Sequence, residues 1–148
     1  MSTDASIDPL VLRQLTQRLD HAVADLVDEC GLTVDQWRMV ERLAEVGAET
    51  MAGLTTALAL TGPTTTRVAD RLVSMALVYR GVDATDRRKV VLRLSRRGRQ
   101  CHDRLSVEIR AQQDAAISGL EDTERELLVR LLSRAADEAP RQRSGAAS

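Results

Sequence analysis

The chain has 148 residues, of which 43% are hydrophobic and 29% are charged, and its formal net charge is −1. This length suits one domain with its own core, and the composition differs from the weakly hydrophobic, highly charged composition of disordered chains. Because the sequence has neither an apolar run of about 18 residues nor a basic leader followed by an apolar segment, we expect a cytoplasmic protein without membrane contact.

Two amphipathic helices are predicted at the start of the chain. Asp8 and Pro9 suit a helix start, because Asp accepts bonds from the first-turn amides and Pro fits the first position. This helix should end before Gly31, and Thr33 and Gln36 should form a capping box at the start of the second. The apolar residues that recur at spacings of three and four in the first helix are Ile7, Leu10, Val11, Leu15, Leu19, Ala22, Val23 and Leu26. The residues expected to form the buried stripe of the second are Val34, Trp37, Val40, Leu43 and Ala44.

Two shorter helices follow a fragment of strand at residues 50–51. The first is predicted over 52–60, and Thr61 should cap the second, which has Pro63 in its first turn and runs to about Leu77. Two helices joined by a short turn form a helix-turn-helix arrangement, although this spacing alone is a weak signal. The residues expected to face inward are Leu54, Ala57 and Leu58 in the first helix, and Thr65, Val68, Ala69, Leu72 and Met75 in the second.

After residue 77 the apolar residues alternate, which predicts a two-stranded hairpin at 78–82 and 90–94. Ser95 should cap the next helix, which continues to Gly119 with Leu105, Ile109, Gln112 and Ala116 inward. A last helix should run from Asp122 or Thr123 to Pro140 with Leu127, Leu128, Leu131, Leu132 and Ala135 forming its apolar stripe.

This order of elements predicts a mainly α fold with a small β-hairpin wing. We expect a winged helix-turn-helix region at 32–94, a helical dimerisation frame from 1–31 and 95–140, and a flexible tail at 141–148. The long leucine stripes of the terminal helices exceed what one small lobe can cover, so we expect a homodimer with Leu10, Leu15, Leu127, Leu128 and Leu131 at its interface.

Basic residues are concentrated in the middle of the chain. Residues 51–100 contain ten Lys and Arg and three Asp, whereas the rest contains eleven basic and nineteen acidic residues. A positive region within an acidic frame favours local attraction of a polyanion and limits indiscriminate binding.

The fourth predicted helix and the hairpin loop carry the candidate DNA-binding residues. A helix fits the major groove, and Arg67 or Arg71 can bind a guanine with two hydrogen bonds; the alternative is that they only pair with Asp70 or Asp35. The loop ends in three adjacent cations whose repulsion a narrow minor groove would relieve, or they form only a solubilising turn. Asp86 is expected to orient a neighbouring guanidinium. The candidates are Thr61, Pro63, Thr64, Thr66, Arg67, Arg71, Asp86, Arg87, Arg88 and Lys89.

Four segments of the sequence resemble the multiple-antibiotic-resistance regulator (MarR) family. They are Leu32–Trp37, Pro63–Leu72, Asp86-Arg87-Arg88 and Leu92–Gly98. The resemblance implies a homodimer whose first, fifth and sixth helices interlock and whose two winged lobes read a pseudo-palindromic operator in double-stranded DNA. It also implies that Arg88, or alternatively Arg87, is the minor-groove contact of the wing tip.

The sequence departs from the family pattern at three places. The family usually has Gly where Ala76 stands, so Ala is expected to strain that left-handed position by about 1 kcal/mol. Relatives often bind aromatic effectors; His21 and Trp37 are the candidate contacts here, although Trp37 also fits the buried stripe. Cys30 is a candidate redox sensor, but it lies near the end of the first helix, whereas the reactive cysteine of oxidant-sensing relatives lies near the helix start.

Other classes of function fit the sequence less well. His21 and His102 are its only histidines, no Gly-rich phosphate loop is present, and Cys101 beside His102 lacks the spacing of a metal site, so we expect no enzyme, metal or cofactor. The alternative to a DNA-binding regulator is a winged-helix module that binds proteins without reading DNA. The expected function is a transcriptional regulator, acting as a repressor and released by a small molecule.

Overall fold

The structure, a computed structural model, describes residues 7–138. Within that range the chain forms mainly helices and one small sheet, which agrees with the predicted fold class. In chain order the elements are α1 (Pro9–Asp28), α2 (Val34–Val46), β1 (Glu49–Thr50), α3 (Met51–Ala57), α4 (Gly62–Ser74), β2 (Val78–Val82), β3 (Val90–Leu94), α5 (Arg96–Ala116) and α6 (Asp122–Glu138). Pro140 and the tail at 141–148 lie outside the described residues.

The predicted helix caps are present. Asp8 Oδ1 accepts a bond of 2.8 Å from the Leu10 N–H. Thr33 and Gln36 form both bonds of the capping box, at 3.3 and 3.0 Å. Because each cap satisfies amides that the helix leaves free, short polar motifs determine where these helices begin.

The sheet has three strands in the order β1-β3-β2, and both pairings are antiparallel. The β2–β3 hairpin spans the predicted residues, with Val78 opposite Leu94 and Val82 opposite Val90. The strand fragment predicted at residues 50–51 is present one residue earlier as β1, and its pairing with β3 through Thr50 and Val91 was not predicted. A two-residue strand is too short to produce an alternating pattern in the sequence.

The core lies between the five helices α1 to α5 and the sheet. Its largest fully buried side chains include Trp37, Met39, Leu43, Leu54, Leu72, Leu92 and Ile109. Met39 was not predicted, and Ala57 and Gln112 were wrongly expected to face inward, since both are exposed. Ala57 is the last residue of α3. In α5 the inward position that follows Ile109 is the half-buried Gln113, four residues later, and not Gln112.

The junction after α4 is tightly bonded to the start of α5. The helix α4 ends at Ser74, three residues earlier than predicted, and Ala76 takes the expected left-handed conformation with φ +56°. The Ser95 hydroxyl donates to the Ala76 carbonyl at 2.7 Å and caps α5 by accepting from the Gly98 N–H at 2.9 Å. A Cβ at Gly98 would meet the Leu77 carbonyl oxygen, so α5 begins directly against this junction.

The chain divides into two compact units, and the boundary in the sequence lies between Ala116 and Ile117. The first unit contains α1 to α5 and the sheet. The second contains α6, whose start is stabilised by a bond from the Glu121 N–H to the Glu124 carboxylate at 2.9 Å.

Candidate nucleic-acid interface

The helix α4 has one buried face and one exposed face. Its buried residues are Thr65, Val68, Ala69 and Leu72. Thr61 caps the helix by accepting a bond of 3.4 Å from the Thr64 N–H. The predicted contact residues lie on the other side, with Thr64 half-buried and the others exposed: Thr61, Pro63, Thr66, Arg67 and Arg71.

The guanidinium groups on the exposed face of α4 are available to a ligand. Asp70 pairs with Arg80, and Asp35 pairs with Arg38, so neither acid neutralises Arg67 or Arg71. Within residues 7–138 neither arginine forms an ion pair. The exposed N-terminal half of α4 therefore presents positive charge together with the positive end of the helix dipole.

The wing loop at 83–89 is held by Asp83. Its carboxylate accepts bonds from the Thr85 hydroxyl at 2.6 Å, the Thr85 N–H at 2.8 Å and the Asp86 N–H at 2.9 Å. These bonds, with the Thr85 hydroxyl contributing most, lower the pKa of Asp83 to about 2. The Asp83 N–H donates to the Lys89 carbonyl at 2.9 Å and closes the loop.

The three cations at the wing tip are exposed. Arg87, Arg88 and Lys89 form no ion pair with any residue that the structure describes. Asp86 does not contact a guanidinium as predicted; its carboxylate accepts from the Arg88 backbone N–H at 3.0 Å. Asp86 therefore holds the backbone of the wing tip, because the loop turns the Arg88 N–H toward the Asp86 carboxylate. The Arg88 side chain has no ion-pair partner among the described residues.

An ion pair joins the exposed side of α4 to the wing. Arg80 Nη2 on β2 lies 2.5 Å from Asp70 Oδ1 on α4. The residue pattern of β2 does not predict this role, because Arg80 lies on the same strand face as the buried Val78. The pair connects the wing to α4, two basic elements that are separate in the sequence.

The two candidate effector residues lie in different places. His21 lines an open groove of about 1030 Å³ along α1, together with Val11, Leu15 and Ala116. Trp37 lines a separate recess of about 170 Å³ between α1, α2 and α5. The structure does not bring the two together, because they lie on different sides of the α1 and α2 packing.

The recess beside Trp37 combines an aromatic ring with polar groups. Trp37 is 1% exposed and stacks on His102 with ring centroids 5.6 Å apart, and its Nε1 is buried without a hydrogen-bond partner. Glu41 also lines the recess, and burial raises its pKa against the opposing charges of His102 and Arg110. Arg38, which is paired with Asp20 at 2.5 Å, completes the polar side.

The candidate dimerisation residues differ in exposure. Leu10 on α1 and Leu127 and Leu131 on α6 are exposed, whereas Leu15 and Leu128 are half-buried. Among the described residues no group of three or more His, Cys, Asp and Glu could hold a metal ion. No helix within residues 7–138 is long and apolar enough to cross a membrane.

Comparisons with known proteins agree on one family. The model of the MarR family matches residues 30–89, which include the Trp37 helix, α4 and the wing loop. The chain belongs to the MarR family. Members of the MarR family are transcription regulators and not enzymes, and this chain is a DNA-binding transcriptional regulator.

Individual relatives are similar over most of the chain. The HTH-type transcriptional regulator FarR of Neisseria gonorrhoeae is 28% identical over 114 residues, 77% of either chain. A probable transcriptional regulator from Pseudomonas aeruginosa is 31% identical, with a TM-score of 0.68 over 84% of this chain and 92% of that chain. NadR in complex with 4-hydroxyphenylacetate is 28% identical, with a TM-score of 0.81 over 93% and 97% of the two chains.

Proposed function

We propose that this MarR-family protein is a homodimeric repressor that reads a pseudo-palindromic operator and is released by a small molecule. The observation that carries the proposal is the pair of exposed basic elements, α4 and the wing tip; the strand β2 that leads into the wing loop is paired with α4 through Arg80 and Asp70. Cations without a protein partner gain most when a polyanion supplies one. Blocking transcription requires occupancy of the operator, which such a surface provides.

The two basic elements suit different parts of a duplex. The exposed face of α4 fits the major groove, where Arg67 and Arg71 read guanine and Thr64 and Thr66 contact thymine methyls or phosphates. The wing tip suits the minor groove, where Arg88, or Arg87 beside it, enters the region of enhanced negative potential. Thr61, Pro63, Asp86 and Lys89 position these contacts or bind the backbone phosphates.

The homodimer is supported by apolar side chains that the single chain leaves exposed. On α1 these are Leu10, Val11 and Leu12, and on α6 they are Leu127, Val129, Leu131 and Leu132. Burying such side chains contributes about 25 cal/mol for each Å² removed from water. We assign residues 1–31 and 95–140 to dimerisation and 32–94 to DNA binding, with Leu15 and Leu128 at the edges of the interface.

The effector site is the recess beside Trp37. Its volume of about 170 Å³ suits a single-ring compound, since an apolar cavity of about 150 Å³ holds benzene. The unpartnered Trp37 Nε1 supplies a donor and Glu41 supplies an acceptor. The complex of NadR with 4-hydroxyphenylacetate, a single-ring compound, supports this class of ligand. His21 contributes to the α1 groove and not to this recess.

The test is a DNA-binding measurement on a duplex selected by the protein from a random pool. We expect two chains for each duplex, with half-sites roughly 34–36 Å apart. Arg88→Ala should lower the slope of log affinity against log salt by about 1, and Arg67→Ala should cost about 1–3 kcal/mol at one operator position. A promoter overlapping the selected site should be transcribed less when the protein is present.

The matched control is Arg110→Ala, which removes an exposed arginine of α5 and should leave the affinity unchanged. If the Arg67 and Arg88 variants bound as tightly as the parent at every salt concentration, the surface would not read DNA. That result would favour a winged-helix module that binds proteins. Binding of a single chain to each duplex would contradict the homodimer but not the DNA-binding function.

A further inference from the structure

The recess beside Trp37 carries an excess of negative charge. Of the described residues that line it, Asp20 and Glu41 are acidic and Arg38 is basic, and the remaining lining residues are uncharged. Asp20 lies on α1, whereas Arg38 and Glu41 lie on α2, so these charges meet where the two helices pack. The charge of a ligand that enters the recess should therefore affect how tightly it binds.

The guanidinium that lines the recess is already neutralised by the protein. Arg38 Nη2 lies 2.5 Å from Asp20 Oδ1, and Arg38 Nη1 lies 3.4 Å from Asp35 Oδ1. Two carboxylates thus share one cation, and a carboxylate on a ligand would have to compete with both of them. Arg38 is therefore a poor anchor for an anionic ligand.

Glu41 is the acidic residue of the recess that has no ion-pair partner within residues 7–138. Partial burial raises the pKa of Glu41, and the charge of Glu45 adds to this rise. The positive charges of His102, Arg110 and Arg38 oppose the rise but do not cancel it. A cation placed beside Glu41 would stabilise the ionised carboxylate, because burial is what disfavours its charge.

Trp37 supplies a second polar group in the same recess. Its side chain is 1% exposed, and its Nε1 is buried without a hydrogen-bond partner among the described residues. An indole N–H can only donate, so it requires an acceptor on the ligand, such as a hydroxyl oxygen. The recess volume of about 170 Å³ accommodates one ring beside Trp37.

We propose that this recess selects single-ring ligands that carry a protonated amine, and that it binds anionic ligands of similar shape more weakly. In this arrangement the ring packs against Trp37, an oxygen on the ring accepts from Trp37 Nε1, and the amine binds Glu41. The inference rests on the proposed function, because it concerns the recess to which we assign the effector. It reverses the ligand charge found in the complex of NadR with 4-hydroxyphenylacetate.

The test compares three probes that share one hydroxyphenyl ring. They are the cation tyramine, the neutral 4-hydroxyphenylacetamide and the anion 4-hydroxyphenylacetate. Calorimetric titration of the full-length protein should give dissociation constants that increase in this order. We expect a difference of roughly tenfold between tyramine and 4-hydroxyphenylacetate, because the interaction with Glu41 changes sign between them.

The variant Glu41→Gln removes the charge and nearly preserves the size of the side chain. It should weaken the binding of tyramine and strengthen that of 4-hydroxyphenylacetate, so that the ratio of their dissociation constants approaches one. The matched control is Glu108→Gln, which removes an exposed carboxylate of α5 that does not line the recess. This control should leave the ratio unchanged.

Three results would each overturn the proposed selectivity while the recess remained an effector site. They are tighter binding of 4-hydroxyphenylacetate than of tyramine, equal binding of the three probes, and a ratio that Glu41→Gln leaves unchanged. If no probe bound, the effector site of the proposed function would fail, and the selectivity with it. Because the titration contains no DNA, a failure of operator binding would not alter its result.

Discussion

At the scale of single residues, Ala76 carries strain that glycine would remove. Its φ of +56° places it in the left-handed region, where a Cβ costs roughly 1–2 kcal/mol. Part of the stability gained by removing this strain is lost again, because glycine gives the unfolded chain more conformational entropy than alanine does. We therefore expect Ala76→Gly to raise the free energy of unfolding by up to about 1 kcal/mol, as measured by urea denaturation.

The matched control for this substitution is Ala111→Gly. Ala111 is exposed in the middle of α5, where glycine should lower the free energy of unfolding by about 1 kcal/mol. The two alanine-to-glycine changes should thus have opposite signs. An equal loss at both positions would mean that the junction after α4 is unstrained.

At the scale of elements, the Asp70–Arg80 pair connects α4 to the wing. Its contribution to the free energy of unfolding is expected to be small. Asp70 and Arg80 side chains are 57% and 47% exposed, so water and salt screen their attraction. A double-mutant cycle with Asp70→Ala and Arg80→Ala should give a coupling of about 0.2–1 kcal/mol that decreases in 1 M salt. The measurement is again the free energy of unfolding.

The Arg42–Glu45 pair within α2, whose side chains are 34% and 71% exposed, serves as a control for this cycle, since it joins residues of one helix. Its removal should leave DNA affinity unchanged, whereas loss of Asp70–Arg80 should weaken DNA binding beyond its effect on stability. No coupling at low salt would show that the 2.5 Å contact does not persist in solution.

Local signals determine which elements the sequence can predict. The Thr33–Gln36 capping box and the alternation of Val78 to Val82 involve neighbours in sequence, so both were predicted. The strand fragment at residues 50–51 was predicted as well, but its pairing with Val91, some forty residues away, was not, because its two residues carry no period. The exposed face of α4 was predicted in the same way, because Thr65, Val68 and Leu72 define its buried side.

Contacts between distant residues account for what the sequence did not predict at the candidate site. The Asp70–Arg80 pair and the separation of His21 from Trp37 both depend on how the elements pack. Asp86 differs, since its bond to the Arg88 N–H is local. The residue pattern allowed Asp86 to bond either to a neighbouring guanidinium or to the backbone, and the geometry of the loop favours the backbone.

At the scale of the whole molecule, we propose that ligand binding and DNA binding are coupled through the recess beside Trp37. The recess is lined by α1, α2 and α5, so a ligand that fills it favours one spacing of these helices. Such a ligand lowers DNA affinity only by as much as it prefers the conformation that does not bind DNA. Trp37 is the only tryptophan of the chain, and its emission therefore reports on this recess directly.

We expect 4-hydroxyphenylacetate to change the Trp37 emission saturably and to weaken binding to the selected duplex over the same concentration range. Val34→Phe, which fills the recess from α2, should remove both responses, whereas His21→Ala in the α1 groove should retain them. Loss of the response in the His21 variant alone would move the effector site to the groove along α1. An emission change without a change in DNA affinity would separate ligand binding from operator release, because coupling requires both.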